Sequence, residues 1–201
     1  KSVYEAALGL GRQSGNQLME AEALNNLGLV HYYGGEAGPA LGFFLKGLAL
    51  KRSIGDLRAI ARSLNNLALV QEMMGDYAAA IATHEESLGI IRRLGDQGSL
   101  VPSLNNLGNV FEKTGRYGEA ATACREALET AEAIGDLWVL PYPLNSLGQV
   151  MLSLNQGVQA EALFSRGLEA SRAHGHRVAE CLSLKNLGST AAQRGDAATA
   201  V

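Results

Sequence analysis

The feature that most limits what this chain can fold into is a short phrase repeated five times in strict register. LNNLG at 24–28 returns as LNNLA at 64–68, LNNLG at 104–108, LNSLG at 144–148 and LKNLG at 184–188, 40 residues apart each time without insertion or deletion. A second marker keeps the same step: Gly15-Asn16, Gly55-Asp56, Gly95-Asp96, Gly135-Asp136 and Gly175-His176. A third lies between them: Gly35-Glu36, Gly75-Asp76, Gly115-Arg116, Asn155-Gln156 and Gly195-Asp196. A period of this length is the mark of a stacked-repeat architecture.

Each repeat is two segments divided by glycine-type stops, and both segments carry helical periodicity. Leu41, Phe44, Leu45 and Leu48 follow i, i+3, i+4, i+7, as do Leu24, Leu27, Gly28 and His31. The stops have a mechanism: glycine takes the left-handed conformation that closes a helix, and the Asp after it caps the next one. Lys51, Arg52, Arg92 and Arg93 fall near helix C-termini, where a cation opposes the helix dipole favourably. The spacing predicts first helices (A) at 17–34, 57–74, 97–114, 137–154 and 177–194. Second helices (B) are expected at 37–54, 77–94, 117–134 and 157–174, after a leading B helix at 1–14.

One helix pair cannot bury both apolar stripes alone, but stacked pairs can. The expected fold is an all-α solenoid without strands. It is read as a single array over 1–201: a trailing B helix at 1–16, full repeats at 17–56, 57–96, 97–136 and 137–176, and a cut repeat at 177–201. Asp196–Val201 reads as the start of a further B helix, and both ends cut a repeat, so a piece of a longer protein is expected.

Composition closes off other classes. Aromatics are only 5% and Ala, Leu and Gly dominate, which suits close-packed helices better than a β-sandwich. The net charge of -3 supplies no basic footprint for nucleic acid or an anionic membrane. No apolar run approaches the roughly 18 residues of a membrane span, and no signal-peptide layout opens the chain. Cys124 and Cys181 have neither CxxC nor zinc spacing, and a cytoplasmic setting is expected.

The residues also resemble a known family. Leu24, Leu27, Gly28, Ala40, Phe44 and Gly47 are similar to the tetratricopeptide (TPR) signature of large, small and aromatic positions, and recur as Leu104, Leu107, Gly108, Phe111, Ala120, Cys124 and Ala127. The unit is longer than the usual ~34 residues. It resembles the long-repeat branch of the Pins/LGN spindle adaptors, kinesin light chain and the sensor regions of bacterial NTPase-coupled regulators. NNLGNVFEKTGRYGEA at 105–120 is especially close to that branch.

The repeated asparagines need their own account, because asparagine is a mediocre helix former. Leu24, Leu27, Gly28 and His31 face helix B, so positions 22, 25, 29 and 32 turn to the other side, with 26 and 33 beside them. The resemblance implies that this side lines a concave groove. There the first asparagines, Asn25, Asn65, Asn105 and Asn145, and the second, Asn26, Asn66, Asn106 and Asn186, would form a ladder of amides. Such amides carry donors and acceptors that match the backbone of an extended peptide, and the resemblance implies that use. The same amides could instead bond a neighbouring helix and hold the repeat spacing; the two roles do not exclude each other. Specificity would come from Arg62, Asn109, Tyr32, Tyr33, Glu72, Glu112, Lys113 and Tyr142. The groove lacks the Lys/Arg set of a carboxylate clamp, so an amphipathic segment of some basic character, meeting Glu72 and Glu112, is expected over an acidic tail.

Other chemistry does not assemble. Gly9-x-Gly11-x-x-x-Gly15 follows a helix rather than a strand and is no dinucleotide loop. His84 aligns with Phe44, Cys124 and Phe164 in a helix B core slot. Cys181 aligns with Ala21, Ala61 and Val101, so both cysteines are expected to be small buried residues. His174 and His176 lack a third metal ligand, and Glu85-Glu86 reads as a solvated face. The stretch LWVLPYP at 137–143 breaks the pattern: Pro141 and Pro143 should delay or kink that helix. Trp138 there either covers the core or joins Tyr142 in an aromatic contact patch.

No enzyme, metal or cofactor is therefore expected. The leading expectation is a protein–protein interaction scaffold binding a peptide or protein segment. The alternatives are a sensor region of a larger bacterial signalling or transcription-regulating protein, and head-to-tail self-association through open repeat ends.

Overall fold

The computed structural model describes residues 2–193. The expected stop at Gly195-Asp196 and the helix expected to begin at Asp196–Val201 lie outside the described residues. Ten α-helices and no strand occur among the described residues. They are α1 Ser2–Ser14, α2 Gln17–Tyr33, α3 Ala37–Ile54, α4 Leu57–Met73, α5 Tyr77–Leu94, α6 Gln97–Lys113, α7 Tyr117–Ile134, α8 Pro141–Ser153, α9 Gly157–Ala173 and α10 Arg177–Gln193. The even-numbered helices are the A helices of the repeats, and α3, α5, α7 and α9 are the B helices.

The helix ends follow the stop residues. Gly15, Gly35, Gly55, Gly75, Gly95, Gly115, Gly135 and Gly175 all take positive φ, and Asn155 does so in place of a glycine at φ 59°. Asn16, Asp56, Asp76 and Asp96 accept a hydrogen bond from the backbone N–H three residues on, at 3.0–3.1 Å. These side chains satisfy donors that a helix start leaves open.

One boundary moved. Helix α8 begins at Pro141 rather than 137, and residues 137–140 form a turn. Asp136 Oδ1 receives the Trp138 and Val139 N–H groups at 3.1 and 3.2 Å. Both prolines then fall in the first turn of α8, where a missing N–H breaks no helical bond.

The helices gather into two compact units, Lys1–Gly95 and Asp96–Val201. In the first, each helix from α1 to α5 packs on the next, and α2 also touches α4. In the second, α6 to α10 pack in sequence, α6 touches α8 and α8 touches α10, while α7 and α9 make no comparable approach. The A helices therefore converge on one face of that unit, as stacked helix pairs do when the B helices splay outward.

The A–B contact in each repeat is a small residue facing a larger side chain. A Cβ built on Gly28 would lie 2.6 Å from the Phe44 ring, and Gly148 and Gly108 face Phe164 and Cys124 in the same way. Ala68 occupies the equivalent slot opposite His84, which is fully buried as expected.

One expectation is corrected. Cys181 is exposed, unlike its buried equivalents Ala21, Ala61 and Val101, and Leu184 of the same helix is 45% exposed. Lys51 lies in the last turn of α3 as expected, and its side chain there is buried, with 0% exposure. It takes the core slot that Ile91, Ala131 and Ser171 fill in later repeats.

Candidate functional site

The A helices carry the candidate site. Periodicity places the first asparagine one residue beyond a core leucine, so its side chain starts at the edge of the buried face. In the first unit Asn25 is buried, and the Asn66 amide donates to Asn25 Oδ1 at 3.1 Å. In the second, Asn145 is 2% exposed and its Oδ1 receives the Asn186 amide at 3.0 Å. Asn145 Nδ2 donates at 2.8 Å to both Pro141 O and Ser183 Oγ. Gly167 makes room for that pair, since a Cβ there would meet Asn145 Nδ2 at 2.9 Å. The second asparagine of one repeat thus bonds the first asparagine of the repeat before it.

Asn105 differs. It is buried, and its Oδ1 has no hydrogen-bond partner. Asn26, Asn65, Asn66, Asn106, Asn109 and Asn186 are half-buried and retain access to solvent.

Charge and aromatic groups flank these amides. Glu22 Oε1 lies 3.0 Å from Arg62 Nη2 and 3.2 Å from Lys51 Nζ, and Lys51 also donates to Ser63 Oγ at 3.0 Å. Burial pushes the Lys51 ammonium below its ordinary value, and the Glu22 carboxylate opposes that shift. Arg62 is exposed. Tyr32 is half-buried with its ring edge-on to exposed Tyr33, centroids 5.3 Å apart. The Glu72 side chain is only 9% exposed, with Oε1 3.5 Å from His84 Nε2. In the second unit Glu112 accepts from Ser153 Oγ at 2.8 Å, and Lys113 is exposed.

The 137–143 stretch forms an aromatic cluster. Trp138 is 56% exposed and stacks on buried His176 with centroids 4.0 Å apart. The Tyr142 hydroxyl lies 3.2 Å from His176 Nε2. Trp138 therefore covers a histidine rather than the apolar core. Between α6 and α8 lies a cavity of about 240 Å³ lined by Val101, Pro102, Asn105, Asn106, Val139, Tyr142 and Pro143.

Sequence reasoning missed the Glu22–Lys51–Ser63 cluster and the role of His176. The first left a signal, because aligning position 51 with Ile91 and Ala131 puts a lysine in an apolar slot. The second left none, since spacing put His176 only in the cap position after Gly175 and said nothing of the Trp138 ring. No group of three or more metal-ligating side chains occurs among the described residues, and no described helix is long and apolar enough to cross a membrane.

The repeat geometry agrees with comparisons to known proteins. Residues 59–133 match the family model described as tetratricopeptide repeat, which upholds the resemblance carried by the sequence. The fold is an all-α solenoid like that of several solved structures. BtubC (BKLC) from P. vanneervenii is similar at a TM-score of 0.84 and 18% identity, over 99% of this chain and 84% of that one. A Signal Transduction ATPase with Numerous Domains (STAND) protein with a tetratricopeptide repeat sensor, from Pyrococcus horikoshii, gives 0.78 and 16% identity over 93% of this chain and 30% of that one. The nearly identical TPR-like repeats of a Podosopora anserina kinesin light chain give 0.73 and 13% identity, over 89% of this chain and 88% of that one. No curated protein matches the chain. Tetratricopeptide repeats generally mediate protein–protein interaction.

Proposed function

We propose that the chain is a non-catalytic interaction module that holds a peptide or protein segment along the face that the A helices make within a unit. One observation carries this reading: half-exposed amides and aromatics line that face in each unit, on a scaffold tied together by the Asn66–Asn25 and Asn186–Asn145 bonds. Asn26, Asn65 and Asn66 with Tyr32 serve in the first unit; Asn106, Asn109 and Tyr142 serve in the second. The bonds between repeats fix the amides in place, and a rigid row of donors and acceptors meets a peptide backbone at low entropic cost. Arg62, Tyr33, Glu72, Glu112 and Lys113 bias the choice of partner.

Panning a random peptide library against the chain tests this, with an Asn65→Ala/Asn106→Ala variant as counter-screen. Enrichment on the parent and loss on the variant is the expected result. Absence of enrichment from a folded sample would refute segment binding.

A second reading is that of a sensor region within a larger regulatory protein. It is favoured by the likeness to the tetratricopeptide repeat sensor of the STAND protein, of which this chain matches only 30%. The gene context of the chain would show or deny a neighbouring NTPase domain.

A further inference from the structure

The hydrogen bonds that tie the repeats follow a rule of offset. Asn66 donates to Asn25 and Asn186 donates to Asn145, a step of 41 residues in both cases. The same step from Asn105 reaches Ser146, whose side chain carries no amide. The Asn105 oxygen is accordingly buried with no partner. It belongs to a residue that is 8% exposed and forms part of the wall of the cavity between α6 and α8.

The cavity owes its shape to the displaced start of α8. Val139, Tyr142 and Pro143 stand opposite Val101 and Pro102 of α6. At about 240 Å³ it is smaller than the usual small-molecule site, for which ~300–1,000 Å³ is typical. That size suits one side chain. Its walls hold no charged residue, so a charged occupant would lose its hydration without compensation. Among its polar groups is the Asn105 amide, whose oxygen is an unmet acceptor. The terminal torsion of asparagine is soft, so the oxygen can turn toward a donor brought into the cavity. An aromatic ring suits the apolar walls, and a hydroxyl that donates suits the Asn105 oxygen.

We infer that this cavity receives a tyrosine phenol from the bound segment, with its hydroxyl donating to Asn105 Oδ1. The inference rests on the segment-binding reading proposed above. Ser146 is then the determinant of the site: by failing to complete the ladder it leaves Asn105 available to a ligand.

The test uses p-cresol as the phenol probe and toluene as its counterpart without the hydroxyl, each titrated into the full chain and followed by backbone amide NMR. The expected result is that p-cresol shifts resonances within 101–106 and 139–143, and binds roughly tenfold more tightly than toluene, as a site built around a hydroxyl discriminates. Ser146→Asn should raise the melting temperature by completing the ladder, and abolish the preference for p-cresol. Asn105→Leu, of similar volume, should abolish the same preference and covers the case in which Ser146→Asn fails to fold. Equal binding of the two probes, shifts elsewhere only, or an undiminished preference in either folded variant would overturn the inference. Library peptides that enrich without tyrosine would sink the phenol site and leave segment binding standing. Discrimination by p-cresol with no enriched peptide would do the reverse.

Discussion

The Asn66 side chain donates to Asn25 Oδ1 across 3.1 Å, and Asn25 is buried while Asn66 is not. This asymmetry makes the two partners unequal under mutation. Asn66→Ala strands a buried acceptor and is expected to cost about 1–3 kcal/mol. Asn25→Leu leaves Asn66 able to reach water and should cost less. A double-mutant cycle read by urea denaturation should give a coupling of at least ~0.5 kcal/mol. Strict additivity would show that the bond does not tie the repeats.

Lys51 makes stability depend on pH in a defined direction. Its folded-state value lies below the ordinary 10.5 because burial disfavours the charged form. Between the lowered value and 10.5 the unfolded chain binds more protons than the folded one, so stability rises with pH across that window. Lys51→Met should remove this rise. It should also be neutral or stabilising near neutral pH, because an apolar side chain of similar volume replaces a buried ion, while Glu22 keeps Arg62. Urea midpoints taken through the alkaline range check both points. An identical slope in the variant would assign the effect to another group.

The two cysteines should react at different rates. Burial, with Glu112 adding to it, pushes the Cys124 thiol up to about 12, whereas Cys181 is exposed. The thiolate is the reactive species. A thiol-specific dye at mildly alkaline pH should therefore label one site per folded chain, identified as Cys181 by peptide mapping, and both in denaturant. Fast labelling of Cys124 in the folded chain would contradict its place opposite Gly108.

Gly28 and Phe44 are coupled by space. Gly28→Ala places a methyl against the ring and is expected to destabilise by about 1–3 kcal/mol. The natural pair Ala68 and His84 fills the same slots. Gly28→Ala/Phe44→His should accordingly be less destabilised than the sum of its single changes. Thermal melts of the three variants decide it, and additivity would mean that the ring does not limit the slot.

The stop at Gly95 is a test of backbone conformation alone, since its φ is 64° and nothing lies within 4 Å of a built Cβ. Gly95→Ala should cost about 1–2 kcal/mol, the strain of a left-handed residue. Gly95→Asn should cost clearly less, as Asn155 holds the same conformation at φ 59°. Equal losses in the melts would indicate that something other than φ governs the stop.

Much of the fold was legible in the sequence because helix starts, stops and apolar faces are local. Periodicity at i, i+3 and i+4 is written within a few residues, and each glycine stop acts through its own φ. The displaced start of α8 was legible for the same reason, from Pro141 and Pro143. The candidate site was legible only as a set of positions. That Asn25 and Asn66 in one unit, and Asn145 and Asn186 in the other, fall at repeated positions of the A helices follows from register, but which amide meets which partner depends on how far one helix pair is rotated on the next.

The sequence by itself determined a stack of helix pairs with a 40-residue step, the left-handed turns between them and the row of asparagines on the A helices. Only the tertiary structure decided that Lys51 lies buried beside Glu22 and Ser63, that Trp138 stacks on His176, and that Asn105 faces a cavity with its oxygen unmatched. The Lys51 and Trp138 contacts join residues 12 to 38 positions apart. They arise from packing between helices, which no periodicity within a helix encodes.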